Sequence, residues 1–140
     1  WTNIRDTQAR FFWGWVAYCR SKLLMIPFTS ELAIRLADAN TTVNCIHPGI
    51  IRTKLIHALP VSWGVSVHYG ATTVFDLAAN PKYENITGKY LEKFKIVSPS
   101  PLARSQRLQQ SLWRTSLRWA GLTTPKATIT PKWIANRSDR

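Results

Sequence analysis

Apolar positions along this chain follow two periods, and the alternation between them predicts the elements. Val16, Leu23, Leu24, Ile26, Leu32, Ile34 and Leu36 recur at helical spacing and predict a long helix over 12–38. Pro27 falls inside that pattern, where it removes a backbone donor and crowds the carbonyl of Leu23, so a kink is expected there. The helix is expected to end near Asp38–Asn40, because Asn tolerates a left-handed cap. Residues 42–46 (TVNCI) are short and β-rich, closed by Pro48-Gly49, and predict a buried strand. Residues 50–66 are mixed and broken by Pro60, which predicts a loop with a short helix. Residues 67–79 (VHYGATTVFDLAA) predict a second helix stopped before Pro81, and 88–93 (GKYLEK) a second strand.

Ser100-Pro101 reads as a helix start, with Ser as N-cap and Pro in the first turn, and Gly121 as the stop. On that helix Arg104, Arg107, Arg114 and Arg118 form one stripe, while Leu102, Leu108, Leu112, Trp113, Leu117 and Trp119 take the other side. The apolar side fits docking onto the chain's own core, or the surface of a membrane. Residues 1–10 lack a pattern and read as loop. Residues 122–140 carry Thr-Pro steps and read as a basic flexible tail after a domain over 1–121. The order helix–strand–helix–strand–helix implies βαβ connectivity and a parallel sheet. Two strands alone leave unpaired edges, so further strands are expected upstream. That the chain opens on Trp1 rather than Met leads to the same expectation of a fragment.

Charge adds one question. The chain has 140 residues and a net charge of +12, and eight basic residues against one acid, Asp139, lie in 100–140. This bias fits a solvated basic face, or attraction to anionic lipid or an acidic partner. No base-reading motif accompanies it, so nucleic acid is not an expected partner. Cys19 and Cys45 have no second pair, which implies neither a zinc site nor a disulfide framework; two buried thiols are expected, and no metal. No apolar run reaches the ~20 residues of a membrane span. Three Asn-x-Ser/Thr sequons occur, at Asn40, Asn85 and Asn136, and are taken as unmodified.

The chemistry lies in Tyr18-Cys19-Arg20-Ser21-Lys22. Positions four apart share a helix face, so the Tyr18 hydroxyl and the Lys22 ammonium can address one site. A free tyrosine, with a pKa near ~10, is a poor proton donor at neutral pH, and a neighbouring cation favours its phenolate. Such a pair can serve a carbonyl that accepts hydride. Tyr-x-x-x-Lys alone is common. Here a long helix carries it, and a strand ending in Pro48-Gly49 follows, with Thr53 four residues on.

The runs AYCRSKLLMIPFTSELAIRL (17–36), TTVNCIHPGIIRTKL (41–55), GATTVFDLAA (70–79), ITGKYL (86–91) and SPSPLARSQ (98–106) resemble the C-terminal half of the short-chain dehydrogenase/reductases. The resemblance covers about residues 12–121 and is greatest to the retinol dehydrogenase and WW domain-containing oxidoreductase branch. It implies an α/β fold, the C-terminal part of a Rossmann-type doubly wound parallel sheet, with two strands and about three helices present. It further implies an NAD(P)-dependent oxidoreductase, with NADP the expected form, acting on a lipophilic alcohol or carbonyl such as a retinoid or steroid. Tyr18 matches the catalytic tyrosine. Lys22 matches the lysine that supports it and holds the nicotinamide ribose. Pro48 and Gly49 match the strand end along the nicotinamide, and Thr53 a residue that reaches its carboxamide or a phosphate. Residues 53–66 match the variable substrate loop, in which His57 and Trp63, with His68 nearby, are read as packing or solvent-facing. Ser21 is read as structural.

The resemblance also implies an intracellular protein, in the cytoplasm or on an internal membrane, and admits a peripheral membrane contact and a homodimer. Three family features are missing from these 140 residues: the glycine-rich phosphate loop, the Asn-Ala-Gly strand and the catalytic serine. Arg5 stands where many members have the serine, and Thr2 and Thr7 are poor substitutes. A catalytically inactive relative acting as an interaction module is therefore the alternative reading. Since the pyrophosphate of such cofactors is held by the glycine-rich loop, the 140-residue chain alone is expected not to bind NAD(P) usefully. Calorimetric titration checks this, and micromolar affinity would contradict it.

Overall fold

A computed structural model describes residues 14–57 and 63–122; the predicted loop 1–10 and all of the predicted tail but Leu122 lie outside the described residues. The elements are α1 (Gly14–Arg35), β1 (Cys45–His47), α2 (Lys54–His57), α3 (Val67–Ala79), β2 (Tyr90–Glu92), β3 (Lys95–Val97) and α4 (Gln106–Trp119), with a 3₁₀ turn at Pro81–Tyr83. They fall into two compact units, one of residues 1–31 and 99–140, the other of residues 32–98.

The first unit is built on α1 and α4. α1 is continuous through Pro27, whose ring is fully buried together with Thr29 and Glu31. Phe28 meets Trp113 of α4 with ring centroids 5.3 Å apart. Ala103, Gln109 and Leu112 complete the buried set on the α4 side. The predicted start of α4 is corrected. Ser100 and Pro101 open a separate turn, in which Ser100 Oγ accepts from the Ala103 N–H at 3.3 Å, and the helix begins after Ser105, whose Oγ accepts from the Leu108 N–H. Ser105 has the extended backbone an N-cap needs, and Pro101 sits in the turn before it. Gly121 ends the helix as expected, at φ 70°, with the Leu122 N–H bonded to the Leu117 carbonyl at 2.9 Å. Leu102, placed by periodicity on the apolar side, is instead 60% exposed, because it belongs to the turn and not to the helix.

The second unit is a small mixed sheet with α3. β1 runs parallel to β2, Cys45 opposite Tyr90 and His47 opposite Glu92. β2 then turns back antiparallel into β3, so the sheet order is β1-β2-β3. The sequence predicts two parallel strands, and the third is a correction. The turn residues are Lys93 and Phe94, both at positive φ (49° and 62°), where two-residue hairpins usually carry Asn or Gly. Phe94 is held there from outside the turn. Its carbonyl accepts from the Tyr83 hydroxyl at 3.2 Å, and its ring stands edge-on to Tyr69 at 5.7 Å. The first strand is also shorter and later than predicted, 45–47 rather than 42–46, and half-buried rather than buried.

Residues 43 and 44, outside the strand, hold its register by side-chain bonds. The Val43 N–H donates to Thr87 Oγ1 (3.0 Å), and the Gly88 N–H donates to the Val43 carbonyl (2.7 Å). Asn44 uses both ends of its amide, donating to the Ile86 carbonyl (2.7 Å) and accepting from the Lys89 N–H (3.1 Å). The Cys45 N–H then donates to the Lys89 carbonyl at 2.8 Å, and ladder pairing begins.

α3 spans the predicted residues, capped by Ser66, whose Oγ accepts from the Tyr69 N–H at 3.1 Å. At its end Asn80 donates to Asp76 Oδ1 (2.8 Å), and Lys82 Nζ lies 3.0 Å from Asp76 Oδ2. The Asn80 bond, with Lys82, holds the Asp76 carboxyl below its ordinary range, and Asp76 in turn raises the Lys82 ammonium above its own. The predicted 12–38 helix stops three residues short at its far end, as a turn over 36–38 replaces it after Arg35.

Asn44→Ala removes two bonds to backbone groups and leaves the Lys89 N–H and the Ile86 carbonyl to find water. The expected loss is about 1–3 kcal/mol of unfolding free energy. Urea denaturation of the variant checks it, with a lowered midpoint and an unchanged slope as the expected result.

Candidate active site

Tyr18 and Lys22 lie one turn apart on α1, and both are exposed. The Lys22 ammonium stands 5.7 Å from the centroid of the Tyr18 ring. The expected neighbourhood of phenol and cation is thus present within a single helix, set by the four-residue spacing alone. Ser21 donates its hydroxyl to the Tyr18 carbonyl at 2.7 Å. That local bond points the Ser21 side chain back along the helix, in keeping with a structural part.

Pro48, Gly49 and Thr53 belong to the second unit, in the segment that leaves β1. Gly49 has φ 90°, a conformation that an L side chain strains to adopt, so the glycine is required by the backbone. After it, Ile51 forms a parallel bridge with Val65. The Val65 N–H donates to the Ile50 carbonyl (2.7 Å), and the Arg52 N–H donates to the Val65 carbonyl (3.0 Å). α3 closes on the same segment through Gly70, where a Cβ would collide with the Ile51 side chain. Thr53 is exposed and opens α2, its carbonyl accepting from the Ile56 N–H at 3.0 Å. Val65 and Gly70 thus fix the backbone of 49–53, and neither was singled out from the sequence. The only signal was a glycine inside a helical pattern, which hints at close approach without naming the partner.

Each group of residues suits a nicotinamide nucleotide by its chemistry. Lys22 offers an exposed cation for hydroxyl groups. Gly49 is half-buried, with the Val65 side chain against the place a Cβ would take. Trp63 and His68 are exposed, as read from the sequence; the His57 side chain lies outside the described residues. Cys19 is exposed and Cys45 half-buried, which corrects the expectation of two buried thiols. The reason for Cys19 is its place on α1 between Tyr18 and Arg20, on the outward side of the helix. A shallow cleft lined by Thr42, Leu77, Asn80 and Tyr83 contains none of the candidate residues. Among the described residues, no group of three His, Cys, Asp or Glu is placed to hold a metal ion, and no helix is long and apolar enough to cross a membrane.

No family profile and no solved structure matches this chain. Curated proteins do. Human retinol dehydrogenase 13 is 33% identical over 139 residues, covering 89% of this chain and 42% of its own length. Human retinol dehydrogenase 14 is 40% identical over 119 residues, with 75% and 35% covered. Human WW domain-containing oxidoreductase is 35% identical over 120 residues, with 76% and 28% covered. The chain therefore spans less than half the length of these relatives. The similarity extends over three quarters or more of the chain, and so takes in most of both units. By this similarity the chain belongs to the retinol dehydrogenase branch of the short-chain dehydrogenase/reductases.

Proposed function

We propose that this protein is an NAD(P)-dependent oxidoreductase that interconverts an alcohol and a carbonyl on a lipophilic substrate of the retinoid or steroid kind. The observation that carries the reading is the exposed Tyr18–Lys22 pair on α1, in a chain similar to proteins named as retinol dehydrogenases. The relatives' names speak of retinol; extending that to this chain is part of the proposal.

Bound nicotinamide supplies the hydride for carbonyl reduction, or accepts it in alcohol oxidation. In reduction the Tyr18 hydroxyl donates its proton to the substrate oxygen, and in oxidation the Tyr18 phenolate takes it back. Lys22 stabilises the negative charge on the Tyr18 oxygen and offers N–H donors to the ribose hydroxyls. Pro48 and Gly49 would line the nicotinamide face, and Thr53 would reach its carboxamide. A lipophilic substrate that displaces water from Tyr18 would strengthen the effect of Lys22 at the moment it is used.

In the full-length protein, Tyr18→Phe is expected to lower kcat for a retinoid alcohol by about 10²–10⁴-fold, while nicotinamide nucleotide affinity stays within about twofold of the parent value. Steady-state kinetics with fluorescence titration of the nucleotide checks both. Turnover near the parent rate would rule Tyr18 out as the proton donor.

A further inference from the structure

We propose that Gly70 is a positioning residue for the nucleotide: by making room for Ile51 against α3, it sets where the segment 48–53 stands and so how well the nicotinamide half of the cofactor is held. This inference rests on the oxidoreductase reading, and assigns to that site a residue with no chemistry of its own. Gly70 lies inside α3, where alanine would favour the helix more. Unlike Gly49, it has no positive φ, so the backbone does not call for a glycine. The requirement is one of space. A Cβ on Gly70 would overlap Ile51 Cδ1 and stand 2.9 Å from Ile51 Cγ1. The helix is firmly bonded at this point. Gly70 and Thr73 are its buried residues, the Thr73 hydroxyl donates to the Gly70 carbonyl at 2.7 Å, and the Gly70 N–H donates to the Ser66 carbonyl at 3.2 Å. An added methyl therefore displaces Ile51 rather than α3.

Ile51 is joined to both candidate cofactor residues beside it. The Thr53 N–H donates to the Ile51 carbonyl at 2.8 Å, so Thr53 follows Ile51 directly. On the other side, Ile51 bridges to Val65, and a Val65 methyl lies 3.4 Å from the place a Gly49 Cβ would take. Gly64 lets the two runs come this close, since a Cβ there would stand 2.7 Å from the Ile50 carbonyl. A shift imposed at Gly70 is thus passed through Ile51 to Thr53, and through Val65 to Gly49, all within the second unit. In the proposed function these residues meet the nicotinamide end alone. The pyrophosphate of such cofactors is held by the glycine-rich loop, which these 140 residues do not contain. The effect of Gly70 is therefore confined to one half of the nucleotide.

The test is calorimetric titration of the full-length protein with NADP and with the same nucleotide lacking its nicotinamide ring, 2′-phospho-ADP-ribose. G70A is expected to weaken NADP by about tenfold, the scale of a small misplacement of a binding group, and to leave the ring-free nucleotide within about twofold of its parent affinity. In G70A/I51A the side chain at 51 ends at Cβ, which clears the space for the new methyl. This variant is expected to recover NADP affinity to within about threefold of the parent. It also covers the case in which G70A alone does not fold, since the double variant should fold and bind. Parent affinity for NADP in G70A, an equal loss of both nucleotides, or a folded double variant that binds NADP no better than G70A would overturn the proposal. A parent protein that binds neither nucleotide overturns the oxidoreductase reading, and this inference with it. A parent that binds both, and loses turnover in Tyr18→Phe, keeps that reading whatever G70A does.

Discussion

The parallel pairing of β1 with β2 is the constraint from which the second unit follows. Parallel strands cannot be joined by a tight turn, so the chain between them must cross over, and α2, α3 and the 3₁₀ turn at Pro81–Tyr83 supply that crossover. Two three-residue strands provide few ladder bonds. Asn44 and Thr87 make up for this by carrying side-chain hydrogen bonds to the backbone just before the ladder begins. With the register fixed, Pro48 and Gly49 stand at the carboxyl end of β1, the edge where open α/β sheets take their ligands. Ile51, Val65 and Gly70 then hold the departing chain close to α3. The backbone turn at Gly49 is thus the end product of a strand pairing set by residues that carry no catalytic chemistry.

What could be read in the sequence, and what could not, divides along local and non-local physics. α3 was legible to the residue, because its cap, its periodicity and the proline beyond it are all local. So was the Tyr18–Lys22 neighbourhood, since a four-residue step on a helix needs no tertiary information. β3 was not legible. Its turn uses Lys93 and Phe94 in a conformation stabilised by Tyr83 and Tyr69, two residues from elsewhere in the unit. The N-cap of α4 was misread for a related reason. Ser100-Pro101 and Ser105 both offer a serine before a helical pattern, and the choice falls to Ser105 once Ser100 is spent on capping its own turn. The shift of the first strand toward His47 has the same origin, because the Val43 backbone bonds to the Thr87 hydroxyl and the Gly88 N–H, and Asn44 bonds through its side-chain amide, rather than by ladder.

The first unit combines two requirements in one helix. α1 must bury Pro27, Thr29 and Glu31 near its far end, and it must present Tyr18 and Lys22 to solvent near its start. A single continuous helix meets both, because the buried positions lie further along it, the nearest of them, Pro27, five residues beyond Lys22. α4 meets a similar pair of demands across its width, with Leu112 inward and the arginine row outward. These exposed residues take no part in the buried set of either helix, so their substitution should leave the fold in place.

The claim on which the functional account turns is that Tyr18 and Lys22 act as one unit, and a double-mutant cycle on kcat in the full-length protein tests it most directly. If Lys22 works through the Tyr18 oxygen, Lys22→Met should slow Tyr18→Phe by far less than it slows the parent, since residues acting together are strongly non-additive. Losses that multiply independently, with Lys22→Met slowing both backgrounds alike, would contradict the account and leave Lys22 with a role in cofactor binding alone.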